Sequence, residues 1–270
     1  MNKNNALIDS LKAAPLLVSD LPEAVSFDRE LFANTTSAVE LNYNQKLGYL
    51  YETALEHLII SSPNTELITK NLQIFDENKR TIGELDYILR DKQRDLNIHL
   101  ELAVKFYLAL ETREGWQYPG PDCRDNWHRK LKRLRSHQLA MLTNKDTQRL
   151  LAERFDIYEI ITQQLIYGCI FTPWNCGQKA QPEFVSAQSR QGRWLYIHQW
   201  KEAFTGNRKV FMIPKVFWPV QITSDTLPLF DAISVQDLKN LAQNQCVMFT
   251  FEGDLTPWFL VSDCWAENIK

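Results

Sequence analysis

Apolar and polar residues alternate along residues 97–110 of the chain. Every even-numbered position there is apolar: Ile98, Leu100, Leu102, Val104, Phe106, Leu108 and Leu110. The odd-numbered positions include His99, Glu101 and Lys105. A period of two predicts a β-strand with one buried face. Glu101 and Lys105 also have the i,i+4 spacing of a helix pair, but a helix would spread the apolar residues around its whole circumference.

The flanking patterns predict the neighbouring elements. Residues 43–60 carry an i, i+3, i+4, i+7 apolar stripe, which is typical of an amphipathic helix. Residues 67–75 and 81–90 are strand candidates, joined to each other and to the strand at 97–110 by polar turns. Three consecutive strands with short connections predict an antiparallel meander. The next predicted elements are helices at 125–142 and 145–164 and a strand at 165–171.

These patterns divide the chain into three predicted parts. Residues 1–34 form an N-terminal arm with a short helix, and residues 35–172 form the core. Residues 173–270 form a β-rich C-terminal subdomain that holds six of the eight tryptophans. Its predicted elements are a helix at 234–243 and strand-like runs at 193–199, 209–218, 246–251 and 258–262. The predicted fold class is therefore α/β of the mixed α+β kind.

The composition is that of an ordinary globular protein, with 270 residues, 44% of them hydrophobic and 23% charged. The net charge of −3 argues against a wholly basic nucleic-acid coat but leaves room for a local basic face. The five cysteines have no C-x-x-C pairing, which argues against a disulfide framework and favours a reducing cytoplasm. No segment has the pattern of a signal peptide or a membrane span, so we expect a cytoplasmic protein without a membrane partner.

Two carboxylates on neighbouring predicted strands are the main candidates for chemistry. Asp86 lies in the strand at 81–90, and Glu101 lies in the strand at 97–110. Adjacent strands are about 4.8 Å apart, so two carboxylates at matched height can share a divalent cation. Such a cation would activate water for attack on a phosphodiester, and Lys105 would add positive charge. His99 lies on the same face, where we expect an ordinary satisfied polar contact.

Two segments, GELD at 83–86 and HLELAVK at 99–105, resemble the PD-(D/E)xK phosphodiesterase superfamily, which includes restriction endonucleases and Holliday-junction resolvases. The resemblance implies a restriction-endonuclease-like core: a helix, a three-strand antiparallel meander, a helix and a fourth strand. It also implies Mg²⁺ (or Mn²⁺) as the cofactor, with Asp86 and Glu101 as its ligands.

The same resemblance suggests catalytic positions outside the carboxylate pair. The usual signature places a lysine two residues after the acid, where this chain has Ala103; Lys105 stands about 6.6–6.8 Å further along the strand and takes the lysine's predicted role. Glu52 matches an acidic residue that many members carry on the first helix, and Gln138 matches a helix glutamine that faces the site. Glu56 is interpreted as an ordinary surface residue.

A basic segment follows the predicted meander. Residues 124–137 contain six Lys or Arg residues and one acid, Asp125. A solvated helix face is the ordinary interpretation of such a run, and a phosphate-binding face is the functional one. Under the functional interpretation, Arg129, Lys132 and Arg133 contact the substrate backbone. The predicted partner is then nucleic acid, DNA in preference to RNA.

The whole chain also resembles an uncharacterised bacterial family, a domain of unknown function, and this resemblance implies no activity. Three functions remain open. The first is a Mg²⁺-dependent nuclease, and the second is a catalytically degenerate nuclease fold that only binds nucleic acid. The third is a protein-interaction or homo-oligomer module that uses the Trp-rich C-terminal part. Trp194, Trp200 and Trp218 are candidates for base stacking, although core packing is the ordinary role of such residues.

Overall fold

The computed structural model describes residues 1–35, 39–177 and 182–269. Its α-helices are α1 (Lys3–Ala13), α2 (Leu47–Ser61), α3 (Trp127–Arg133), α4 (Lys145–Phe155), α5 (Trp200–Ala203) and α6 (Val235–Ala242). Its strands are β1 (Val25–Ser26), β2 (Thr65–Phe75), β3 (Thr81–Asp91), β4 (Leu96–Leu108), β5 (Leu110–Thr112), β6 (Gly115–Gln117), β7 (Ile161–Pro173), β8 (Gln191–Tyr196), β9 (Val210–Ile213), β10 (Ala232–Ile233), β11 (Val247–Phe251) and β12 (Asp254–Val261). The predicted α+β class is confirmed.

A single mixed sheet runs through the molecule. Its strand order is β10-β9-β11-β12-β8-β7-β4-β3-β2, with β1 paired to β7. The strands β2, β3 and β4 form the predicted antiparallel meander, and β7 pairs with β4 in parallel from Ile161 to Phe171. The strands after residue 173 continue the same sheet through the parallel pairing of β7 with β8. The largest hydrophobic cluster accordingly contains residues from α1, the meander and the C-terminal strands.

Both faces of β4 are covered, which differs from the one-sided burial that the alternation predicts. The even-numbered residues, such as Leu100 and Phe106, pack into the cluster that includes α2. The odd-numbered residues face a second cluster that contains Trp127 and Leu131 of α3. The central strands of a sheet with helices on both sides lose their solvent-facing side. On the odd-numbered side of β4, His99 and Glu101 are therefore buried, and Lys105 is partly buried.

Two helices of the structure are shorter than the helices predicted from the sequence. The helix predicted at 125–142 becomes α3, a π-helical turn (Leu134–Gln138) and a 3-10 turn (Met141–Thr143). The helix predicted at 145–164 ends at Phe155, because Asp156 adopts a left-handed conformation with φ 57°. Strand β7 then begins at Ile161, four residues before its predicted start.

The predicted loop at 111–122 also contains regular structure, since β5 and β6 pair there as a small hairpin. The tryptophans proposed for base stacking are core residues. Trp194, Trp200 and Trp218 are all buried, and the indole nitrogens of Trp194 and Trp218 donate to the main-chain oxygens of Ala109 and Ile213. No helix within the described ranges has the length and apolar character to cross a membrane.

Candidate functional site

Strands β3 and β4 separate at a fork, and Asp86 lies at that fork. The register of the two strands ends at the pair Tyr87–Leu100. At the next position along β3, the Oδ2 atom of Asp86 accepts a hydrogen bond of 3.0 Å from the backbone N–H of Leu102. The carboxylate thus replaces a main-chain acceptor, which satisfies the β4 amide and holds Asp86 beside Glu101.

Glu101 lies on the other side of this fork and is almost completely buried, with 1% of its surface exposed. Its Oε1 atom accepts a hydrogen bond from the side-chain amide of Gln138, which the π-helical turn after α3 places over the strand. Its Oε2 atom lies 3.8 Å from Nε2 of His99, too far for a hydrogen bond. The structure therefore brings Gln138 to Glu101, the placement that the resemblance implies, and a catalytic role for Gln138 stays a prediction.

Several buried polar atoms around Glu101 have no hydrogen-bond partner in the described part of the chain. They are Oε2 of Glu101, both ring nitrogens of His99, and Oε1 of Gln138. The prediction of a satisfied contact for His99 is therefore wrong. Burial lowers the pKa of His99 to about 4, so the ring is neutral at pH 7. Buried polar atoms without partners are costly, and a cluster of them is the expected environment of a bound ion or water.

Burial sets the protonation of the two carboxyl groups. It raises the pKa of Asp86 to about 6; Glu52 and Glu84 add to the rise, whereas the Leu102 N–H and Lys130 oppose it. Burial also raises the pKa of Glu101 well above its usual range, and the negative charge of Asp86 adds to that effect. A cation beside the pair would favour the ionised form of both groups.

Lys130 of α3 is a site residue that the sequence reasoning missed. Its positive charge opposes the rise in the pKa of both Asp86 and Glu101, and for Glu101 its effect is larger than that of Lys105. The helix spacing in the sequence could have indicated that Lys130 faces inward. Lys130 lies three residues after Trp127 and four before Leu134, both of which point into the core, so it shares the buried face of the helix.

Lys105 lies on the same face of β4 as Glu101, four residues further along the strand. Burial and the nearby charge of Lys130 lower the pKa of Lys105, whereas Asp125 and Glu101 raise it. Its amine makes no hydrogen bond and no ion pair within 4 Å to any described residue. The intervening Ala103 packs against the hydrophobic cluster under α3. Lys105 therefore influences Glu101 electrostatically without a hydrogen bond or an ion pair to it.

Glu52 contributes negative charge from α2. Burial and the neighbouring Glu84 raise its pKa, and Lys70 opposes that rise. Its backbone oxygen accepts a 2.7 Å hydrogen bond from the Tyr87 hydroxyl, which ties α2 to β3 beside the fork. One turn further along α2, Glu56 forms a 2.5 Å ion pair with Lys70, as expected for an ordinary surface residue.

The predicted substrate-binding residues lie away from the carboxylates. Arg129, Lys132 and Arg133 are exposed on the outer side of α3. The guanidinium of Arg129 donates a 2.8 Å hydrogen bond to the backbone oxygen of Arg124. These three cations form part of the protein surface, whereas Lys130 on the same helix faces inward.

The oxygen atoms grouped around Glu101 suit a small, hard cation that takes only some of its ligands from the protein. The oxygens of Asp86 and Glu101, with Oε1 of Gln138, are ligand types that Mg²⁺ and Mn²⁺ accept. The described residues contain no group of three or more His, Cys, Asp or Glu side chains arranged to hold a metal ion. Mg²⁺ commonly binds through one or two carboxylates, with water and substrate phosphate completing its shell. Asp86 and Glu101 fit that mode of binding.

Fold and site together define an α+β protein with an acidic pair, buried Glu101 and partly buried Asp86, at the fork of two central strands. The chain belongs to the family described as a domain of unknown function, DUF1853, whose family model matches residues 10–249. This confirms the resemblance to a domain-of-unknown-function family. No curated protein and no solved structure matches the chain significantly.

Proposed function

We propose that the protein is a Mg²⁺- or Mn²⁺-dependent phosphodiesterase that hydrolyses nucleic acid, DNA in preference to RNA. The observation that carries the proposal is the buried Glu101 at the strand fork, whose Oε2 atom lacks a hydrogen-bond partner among the described residues and whose carboxyl group is affected by the charge of Asp86. The order α2, β2–β4, α3 and β7 adds support, because the resemblance to PD-(D/E)xK phosphodiesterases implies a core with that order.

Each site residue has a separate role in the proposed hydrolysis. Asp86 and Glu101 would hold the cation, and Gln138 fixes the orientation of the Glu101 carboxylate through its amide hydrogen bond. A bound Mg²⁺ would lower the pKa of an attacking water and offset charge on the phosphate. Lys130, near both carboxylates and on the inner face of α3, offers a second positive charge to the phosphate oxygens.

Glu101→Gln tests the proposed cation ligand. The substitution keeps an oxygen that accepts from Gln138 but removes the charge that a cation needs. We expect metal-dependent cleavage of plasmid and branched DNA to fall by about 100-fold or more, because metal stabilisation of the transition state contributes several kcal/mol. The matched control is Glu56→Gln on α2, which removes a surface ion pair and leaves the fork intact. Equal cleavage by Glu101→Gln and the wild type, or no cleavage by either over a broad substrate panel, contradicts the proposal.

Lys130→Met tests the second positive charge. Methionine keeps much of the aliphatic length on the buried face of α3 and removes the ammonium. We expect cleavage to fall by about 10–100-fold at saturating metal, since one charged group at a developing phosphate charge has effects of that order. Lys145→Met at the exposed start of α4 is the control and should cleave as the wild type does. Full activity of the Lys130→Met variant would exclude a role for the Lys130 charge in the reaction.

A second candidate function is metal-independent binding of nucleic acid on a degenerate nuclease fold. Two observations favour it: Ala103 packs in the core where the signature lysine usually stands, and the part of the chain that is described has no third acidic or histidine ligand. This function predicts nucleic-acid binding in EDTA that survives Glu101→Gln, with no turnover in any divalent metal. The cleavage assay with the same variant separates the two functions.

A further inference from the structure

A cavity of about 870 Å³ opens at the far end of β4 from the fork. Strand β4, the loop at residues 120–125, β9 and the segments around β11 and after β12 line it. Its volume lies in the range of small-molecule sites, about 300–1,000 Å³. The proposed hydrolytic site does not use this space, because neither carboxylate of the fork lines it.

Lys105 joins this cavity to the acidic pair. Its side chain lines the cavity, and its charge lowers the pKa of Glu101 four residues away on the same strand face. Four residues of strand span about 13 Å. The cavity therefore adjoins the face of β4 that carries Glu101, about 13 Å further along the strand.

The charges that line the cavity favour an anion. Three cations line it, Lys105, Arg124 and Lys215, and none of them forms an ion pair to another described residue. The two acids of the lining have hydrogen-bond donors of their own. Asp125 accepts from the Tyr107 hydroxyl at 3.2 Å, and Asp122 accepts from the backbone N–H of Arg124 at 3.2 Å. The amines of Lys105 and Lys215 thus have no hydrogen-bond acceptor among the described residues, so a bound anion can accept from them.

The rest of the lining is suited to a flat apolar group. Val104, Met212 and Pro214 are apolar lining residues with part of their surface exposed, whereas the Trp218 ring is buried among aromatic neighbours that fix its position. The Lys215 amine lies 5.5 Å from the centre of the Trp218 ring, so positive charge and apolar surface adjoin each other. A ligand with one phosphate and one heterocyclic base matches both features.

We propose that this cavity binds one nucleotide of the substrate strand, with the phosphate at Lys105 and Lys215 and the base against Val104, Met212 and Pro214. The inference rests on the proposed function, because it assigns the cavity to the same substrate. A cavity of this size holds a single nucleotide and not a duplex, so the substrate would enter it as a single strand or a displaced nucleotide.

The test is equilibrium binding of thymidine 5′-monophosphate to the full-length protein in EDTA, measured by calorimetry. We expect saturable binding, with thymidine at least about tenfold weaker because it lacks the phosphate. Lys105→Met and Lys215→Ala should each weaken binding of the monophosphate by about 10–100-fold, the effect of one charged hydrogen bond. Lys201→Ala, an exposed lysine of α5 outside the cavity, should bind as the wild type does.

Each outcome decides the inference separately from the proposed function. Binding in EDTA that depends on Lys105 or Lys215 supports the inference even if no metal-dependent cleavage is ever found. No saturable binding at millimolar ligand, equal affinity for thymidine, or affinity unchanged in both lysine variants overturns it, even if the protein cleaves DNA. Lys215→Ala alters an exposed side chain, so it gives a decisive result even if Lys105→Met fails to fold.

Discussion

Asp86→Asn is expected to be more stable than the wild type at pH 8, by about 3 kcal/mol in the free energy of unfolding. Burial raises the pKa of Asp86 from 3.8 to about 6, and a rise of that size corresponds to about 3 kcal/mol. At pH 8 the carboxyl is ionised in both states, and its charge is less well solvated in the folded protein. Asparagine carries no charge and can still accept the hydrogen bond from Leu102. Urea titration of both proteins at several pH values measures the difference.

The pH dependence of this difference follows from the sign of the pKa change. A carboxyl whose folded-state pKa is raised contributes stability that is fully present below the unfolded value, near 4, and is lost as the pH rises to about 6. The two proteins should therefore be almost equally stable at pH 3.5 and should diverge between pH 4 and pH 6. Asp95→Asn, in an exposed ion pair with Arg90, is the control and should show no gain. A wild type at least as stable as Asp86→Asn at pH 8 contradicts the partly buried placement of Asp86.

Divalent metal connects this stability difference to the proposed function. A cation that binds the folded protein and not the unfolded chain stabilises it by mass action. Millimolar Mg²⁺ or Mn²⁺ should therefore raise the unfolding midpoint of the wild type and leave that of Asp86→Asn unchanged. Under this proposal, the protein retains two destabilising acids because the cation requires them, which is a common relation between function and stability.

The sequence was sufficient to predict the centre of the fold. The alternation along residues 97–110 depends only on which side chains one strand presents to each face, and the short polar turns before it leave little choice but a meander. The burial of the odd-numbered face of β4 could not be predicted in this way, because it depends on where α3 docks. The end of α4 at Phe155 was missed because the left-handed conformation of Asp156 has no reliable sequence signal.

The candidate site could be predicted in part for the same reason. Asp86 and Glu101 occupy neighbouring strands, so their proximity follows from local register once the meander is accepted. Lys130 lies 29 positions after Glu101 along the chain, and only the tertiary packing of its helix brings its charge near the carboxylates. The unpaired nitrogens of His99 were also unpredictable, because residue type alone does not reveal whether a buried polar group finds a partner.

Gly168→Ala is expected to lower the free energy of unfolding by about 3–5 kcal/mol, a severe change of the kind produced by overpacking and backbone strain. Gly168 lies opposite Lys105 in the parallel pair of β4 and β7. A Cβ atom on Gly168 would lie 1.7 Å from the Lys105 carbonyl oxygen, and its φ of 154° is one that L-residues rarely adopt. Because both obstacles are backbone features, a change of side-chain rotamer cannot relieve them. Thermal and urea unfolding of the variant measure the loss.

Gly177→Ala is the matched control, because a Cβ atom there meets nothing within 4 Å. We expect its stability to differ from that of the wild type by no more than about 0.5 kcal/mol. The comparison also bears on the cavity, since the close approach of β7 at Gly168 fixes the backbone of Lys105 between the acidic pair and the proposed nucleotide position. If Gly168→Ala unfolds at the same urea concentration as the wild type, the two strands are not this close. The position of Lys105, on which the nucleotide inference depends, would then be wrong as well.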